Sequence, residues 1–150
     1  MIAPKTANTA SKSFTTAARA ALYKLQQGMC PWCDDPLRSE KPEDMSAHHR
    51  LLRSAGGTWS ADNVIGLHPW CHNVQPRSVH QEPMRAYSLG FMIRTRQLTP
   101  AQIPFYIRRV SEWWLFDADG GKTVIPEAHA LELLEAASAF TAPRGMAGVN

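Results

Sequence analysis

The chain lacks any apolar run approaching the roughly 18 to 20 residues that cross a bilayer. Its start, with Lys5 and Lys12 among Ala, Thr and Ser, also lacks the apolar core of a secretory signal. These absences argue against a membrane protein and lead to the expectation of a cytoplasmic one. Acid is missing from residues 1–27, which carry Lys5, Lys12, Arg19 and Lys24. It is nearly missing from residues 77–109, where Glu82 stands alone against Arg77, Arg85, Arg94, Arg96, Arg108 and Arg109. Beyond residue 110 base becomes scarce instead, with Lys122 and Arg144 against Glu112, Asp117, Asp119, Glu127, Glu132 and Glu135. The net charge is only +3, so its distribution carries the information: basic segments suited to phosphate and an acidic end left in water. Cysteine is scarce too. Three cysteines is an odd number, and cytosolic chains rarely keep structural disulfides, which leaves thiolate–metal ligation as the leading reading.

What is present is enough for one compact domain: 150 residues with 44% hydrophobic content and no internal repeat. Residues 1–12 have no periodicity and read as a flexible basic arm. From Ser13, a candidate N-cap, Phe14, Ala18, Ala21, Leu22 and Leu25 recur at helical spacing until Gly28, which suits a left-handed stop. Two short strands are expected between Met45 and Leu67, joined by a loop containing Gly56 and Gly57, with a helix beginning near Pro69 or Trp70. A short helix follows from Glu82 to Gly90. Asp119-Gly120-Gly121 is turn chemistry for a hairpin over residues 113–125. Pro126, Ala130, Leu131, Leu133, Leu134 and Ala137 describe a closing amphipathic helix, after which residues 142–150 read as a disordered tail.

Cys30-Pro31-Trp32-Cys33 has the two-residue gap that lets both sulfurs face one centre. After 34 intervening residues, His68-Pro69-Trp70-Cys71 repeats the gap with histidine in the leading place. Together they make a Cys3His set suited to structural Zn2+. The competing readings are a redox pair, which wants a thioredoxin-like context absent here, and unconnected buried cysteines. Trp32, Trp59, Trp70, Trp113 and Trp114 read as core or knuckle packing rather than as platforms for bases. His129 reads as a surface residue.

Inside that bracket lie Ala47-His48-His49-Arg50, Gly56-Gly57, Asn63-Val64-Ile65-Gly66-Leu67 and Cys71-His72-Asn73. This constellation resembles the HNH (ββα-metal, His-Me finger) endonuclease motif flanked by paired zinc knuckles, over about residues 28 to 81. The later run Val79-His80-Gln81-Glu82-Pro83, with Ala86 and Gly90, resembles small phage-encoded members. The implied fold class is α+β: a small ββα-metal core braced by the Cys3His zinc site, with flanking helices and a C-terminal hairpin. The nuclease domain with its N-terminal helix would span 13–95, and the hairpin and helix packed on it 96–141.

Hydrolysing a phosphodiester needs a base for the water's proton and a cation for the charge gathering on phosphorus and the leaving oxygen. Neighbours on a strand point to opposite sides, so His48 and His49 could divide those roles. The resemblance implies His49 as general base and His48 and His72 as ligands of a catalytic divalent cation (Mg2+, Mn2+, Ni2+ or Zn2+). It implies Asn63 as the residue that fixes the loop or orients the base. Many relatives carry a further histidine where this chain has Pro76, and the phage-like alignment offers His80 as the substitute, with water as the alternative. Eight residues of straight helix would separate His72 and His80 by about 12 Å, so the substitution needs Pro76 to break the helix. Arg50 and Arg53 are candidate phosphate contacts. The resemblance implies DNA as the partner, 5′-phosphate and 3′-hydroxyl ends as products, and phage packaging proteins as further candidate partners, in the host cytoplasm if the chain is phage-encoded. A zinc-stabilised DNA-binding module that does not cut is the alternative.

Overall fold

β-Branched Val64 and Ile65 open a strand whose four residues are all buried, β2 (Val64–Leu67). It pairs antiparallel with β1 (Ser46–His49), with His48 opposite Ile65 and His49 opposite Val64. The computed structural model describes residues 19–38, 44–94 and 98–141. The expected arm at 1–12, the tail at 142–150 and the Ser13 cap with Phe14 and Ala18 lie outside those residues. Residues 19–25 are helical (α1). Gly28 and Gly90 adopt positive φ, 70° and 79°, as stops that only glycine takes without strain. Just after α1, the buried Gln26 side chain grips both sides of one strand peptide: its amide donates to the Gly66 carbonyl at 2.9 Å and its oxygen accepts the Gly66 N–H at 2.7 Å. It thereby ties α1 to the hairpin.

The loop between β1 and β2 is held from inside by Asn63, which is fully buried. Its side-chain oxygen accepts the Leu51 N–H at 2.8 Å, and its amide donates to the carbonyls of Leu51 and Thr58, each at 3.0 Å. Asn63 itself lies in the turn, and the second strand starts at Val64. After β2 the chain makes a wide π-helical turn, Trp70–Val74, in place of a longer helix. Gln75 is extended (φ −86°, ψ 159°), as a residue before proline prefers, and the chain then folds back. α2 (Pro83–Ser88) begins with its proline in the first turn, where a missing N–H costs nothing.

A second sheet has the order β3–β4–β5, from β3 (Phe105–Ile107), β4 (Glu112–Phe116) and β5 (Lys122–Ile125). The β4–β5 turn is closed by the Asp117 carboxylate, which accepts the N–H groups of Asp119 and Gly121 at 2.9 and 2.8 Å. α3 (Glu127–Thr141) follows Pro126 and packs Ala130, with Leu133 and Leu134, against Trp113 and Ile125. Leu131, expected on the apolar face, is 51% exposed. The chain is thus mixed α+β with two small sheets. Its main core runs from Leu22 and Trp32 through the cysteines and β2 to Phe91, Phe105, Trp114 and Phe116.

Candidate metal centres

Two clusters of ligating side chains lie against the β1–β2 hairpin. The first joins Cys30, Cys33, His68 and Cys71, whose ligand atoms all lie within 4.8 Å of one another. Cys30 and Cys33 sit in a tight turn: the Asp34 N–H donates to the Cys30 carbonyl at 2.8 Å, and the Cys30 N–H to Asp35 at 2.9 Å. His68 Nδ1 lies 3.3 Å from the Cys33 sulfur and 3.9 Å from the Cys71 sulfur. Tetrahedral zinc, with Zn–S near 2.3 Å and Zn–N near 2.0 Å, would set such pairs at roughly 3.6 Å. The far ring nitrogen, Nε2, lies 3.0 Å from the Pro36 carbonyl, and donating there leaves the Nδ1 lone pair for a metal. Cys30 is drawn down to about 5, chiefly by the hydrogen bond from Cys71 and against its own burial. Cys33 is pushed up to about 11, chiefly by burial. Cys71 is pushed up, first by its bond to Cys30. Three crowded thiols that cannot all ionise alone are suited to a cation, and this donor set fits structural zinc.

The second cluster is His48, His72 and His80, again with ligand atoms within 4.8 Å. His48 projects from β1 and is fully buried. Its Nε2–H donates to the Phe91 carbonyl at 2.6 Å, while Nδ1 is buried without a hydrogen-bond partner. Its ring centroid is 5.1 Å from that of His72 and 5.1 Å from that of His80. The Nε2 atoms of His72 and His80 are 3.1 Å apart, close to the roughly 3.3 Å that two imidazoles on one tetrahedral ion would show. The fold-back at Pro76 makes this possible. The Val79 N–H donates to Cys71 at 2.8 Å and the His80 N–H to His72 at 3.1 Å, so residues 79 and 80 lie alongside residues 71 and 72.

His49, one residue from His48, turns its ring edge-on to Trp59 at 4.4 Å, and its Nε2 is buried without a hydrogen-bond partner. Arg53 is exposed and lies over the Trp59 ring at 5.4 Å. Asn63 makes its bonds to the loop backbone, which assigns it to fixing the loop; none of those bonds reaches His49.

Arg50 corrects the sequence-based expectation. It is 1% exposed, so its guanidinium cannot reach a phosphate. It donates instead to the carbonyls of Gly90 and Asp62, each at 2.8 Å, and to that of Ile103. Burial lowers it to about 9, which still leaves a cation at neutral pH. Its position beside a glycine-containing loop gave no sign of this, because its carbonyl partners lie up to 54 residues away.

The four histidines around β1 are held neutral. Burial takes His48 down to about 3 against the opposing pull of its Phe91 bond, and burial takes His49 to about 4, helped by Arg53. His72 falls to about 4 by burial and then by repulsion from His80, and burial lowers His80 as well. Neutral imidazole is the form that binds a cation or accepts a proton. A folded state that refuses protons is stabilised above the ordinary value of 6.5 and loses that stabilisation as pH falls toward 3. We therefore expect zinc-loaded protein to weaken between pH 7 and pH 5, by about 2 kcal/mol from buried His48 alone. Urea midpoints should show it, with a shallower fall in His48→Asn; equal slopes in the two proteins would count against the buried neutral ring. Comparisons of the chain with protein-family models, curated proteins and solved structures find no match, so its functional reading rests on these two clusters and the residues around them.

Proposed function

We propose that this chain is a metal-dependent DNA endonuclease of the HNH kind, with β1, β2 and the turn bearing His72 as its ββα-metal core. The observation that carries the reading is the convergence of His48, His72 and His80, separate from the Cys3His set, with His49 next to His48 on β1. A divalent cation on the triad would supply positive charge for the pentacovalent phosphorus and the departing 3′ oxygen. Three neutral imidazoles suit Zn2+ or Ni2+ better than Mg2+, which prefers oxygen ligands. His49, neutral at pH 7 because burial lowers it to about 4, would accept the proton of the attacking water. Arg53, exposed beside it, holds the backbone phosphate. Asn63 keeps the loop that carries Arg53 in place. Products would end in 5′-phosphate and 3′-hydroxyl, in a role near phage DNA packaging or processing.

A second reading has its own support. At 3.1 Å the Nε2 atoms of His72 and His80 can satisfy each other by one hydrogen bond, which suits a zinc-stabilised module that binds DNA without cutting. Plasmid nicking with Mg2+, Mn2+, Ni2+ or Zn2+, with a chelator control, separates the two. We expect cutting with at least one ion and its loss in His72→Ala. Folded, zinc-loaded protein that binds plasmid and leaves it intact with every ion would establish the second reading in its place.

A further inference from the structure

We propose that Arg50 is a positioning residue for the histidine triad: it holds the 90–93 segment so that the Phe91 carbonyl fixes His48 with its Nδ1 lone pair free for an ion. The inference rests on the nuclease reading for what that ion does, though not for the geometry. Phe91 is gripped on both sides by the same residue. The Arg50 side chain donates through Nε to Gly90 at 2.8 Å, just before it, and the Arg50 carbonyl accepts the Ile93 N–H at 2.8 Å, just after it. Between these grips the Phe91 carbonyl accepts from His48 Nε2 at 2.6 Å. A proton committed to Nε2 leaves Nδ1 bare, and Nδ1 is the buried ring atom without a partner. His48 on β1 and Arg50 just past its end are thereby linked through a segment some 40 residues away.

The rest of the guanidinium explains why the residue is arginine. Its two terminal nitrogens donate to Asp62 at 2.8 Å, to Ile103, and more weakly to Pro100 and Pro104 at 3.3 and 3.4 Å. The Phe105 ring lies 5.1 Å below it. Several carbonyls in different directions can be met by a planar fork with five N–H groups, whereas an ammonium has three. Among the described ion pairs none involves Arg50. A buried cation whose hydrogen bonds all go to carbonyls, with the Asp62 charge only partly offsetting its burial, is a costly way to fill a core that an apolar side chain would fill more stably, so packing alone does not account for it. Orientation of a ligand does, because the partner of a metal-binding imidazole sets which nitrogen faces the ion.

The test uses full-length, zinc-loaded protein, wild type and Arg50→Lys, in two measurements. The first is the imidazole nitrogen-15 spectrum before any second ion is added. We expect His48 protonated at Nε2 alone in the wild type and a mixture of tautomers in Arg50→Lys. The second is Co2+ titration followed by its visible absorption, with zinc content measured in parallel. We expect zinc to stay at one per chain while Co2+ binding weakens by about 10- to 100-fold, the usual cost of losing an outer-shell partner. Matching tautomers and matching Co2+ affinity in the two proteins overturn the proposal. If wild type takes up no Co2+, the nuclease reading loses its ion, and the tautomer comparison alone decides the role of Arg50. If Arg50→Lys does not retain zinc, Arg50→Gln takes its place in both measurements, and tautomers and Co2+ affinity matching the wild type there overturn the proposal.

Discussion

Replacing His49 by alanine is expected to abolish cutting, by about 100- to 10,000-fold if cleavage can still be measured, while plasmid binding, zinc content and uptake of the second ion stay at wild-type levels. The separation follows from what the ring touches. His49 Nε2 has no hydrogen-bond partner to lose, and its edge contact with Trp59 is worth only about 1 kcal/mol. Neither cluster includes it. His48→Ala makes the contrast, since it removes a ligand and opens a cavity where a fully buried ring stood; its loss of cutting should come with loss of the second ion. The readout is nicking of supercoiled plasmid at saturating metal, alongside a gel-shift measurement of binding. Wild-type rates from folded His49→Ala would remove His49 from the chemistry and leave the water without a base among the residues described around the triad.

Withdrawing zinc is expected to have the largest effect on the fold. Cys30 and Cys71 are both fully buried within the main core, beside Trp32, Leu37 and Leu67. Structural zinc contributes about 10 kcal/mol or more in small domains, comparable with the whole stability of a domain, about 5 to 15 kcal/mol. A strong chelator, or Cys71→Ser, should therefore erase the cooperative thermal transition and the near-ultraviolet dichroism of the buried tryptophans, and cutting should vanish with them. A chelated protein that still melted cooperatively at the wild-type temperature would show that the cysteine set does not brace the fold.

How far the sequence revealed these features depended on how local their causes are. The two-residue gaps at Cys30/Cys33 and His68/Cys71 act over one turn, and the structure brings all four residues together. The Asp119-Gly120-Gly121 turn is equally local, and its hairpin lies where expected. β3 was not anticipated. Its three residues, Phe105-Tyr106-Ile107, are too few to show alternation, and they become a strand only by pairing with β4. The approach of His80 to His72 was legible only as a condition on Pro76, because whether a chain breaks at a proline or merely kinks depends on what it then packs against. Here the buried Val79, bonded back to Cys71, supplies that anchor. Arg50 was misplaced for a similar reason: arginine beside a loop normally faces water, and only the converging carbonyls of distant segments reverse that preference. Gln26, which ties α1 to β2, carries no local pattern at all.

Cys71 and His72 are consecutive, yet one belongs to the sulfur-rich cluster and the other to the all-nitrogen one, on a turn that is wider than an ordinary helical one. A single peptide unit therefore carries a side chain of each cluster. Loss of cutting in a Cys71 variant says nothing by itself about chemistry, since the neighbouring imidazole is displaced with it. His48, which joins the all-nitrogen cluster from β1, and His49, which belongs to neither cluster, are the positions from which the proposed reaction can be questioned without touching a ligand of the brace.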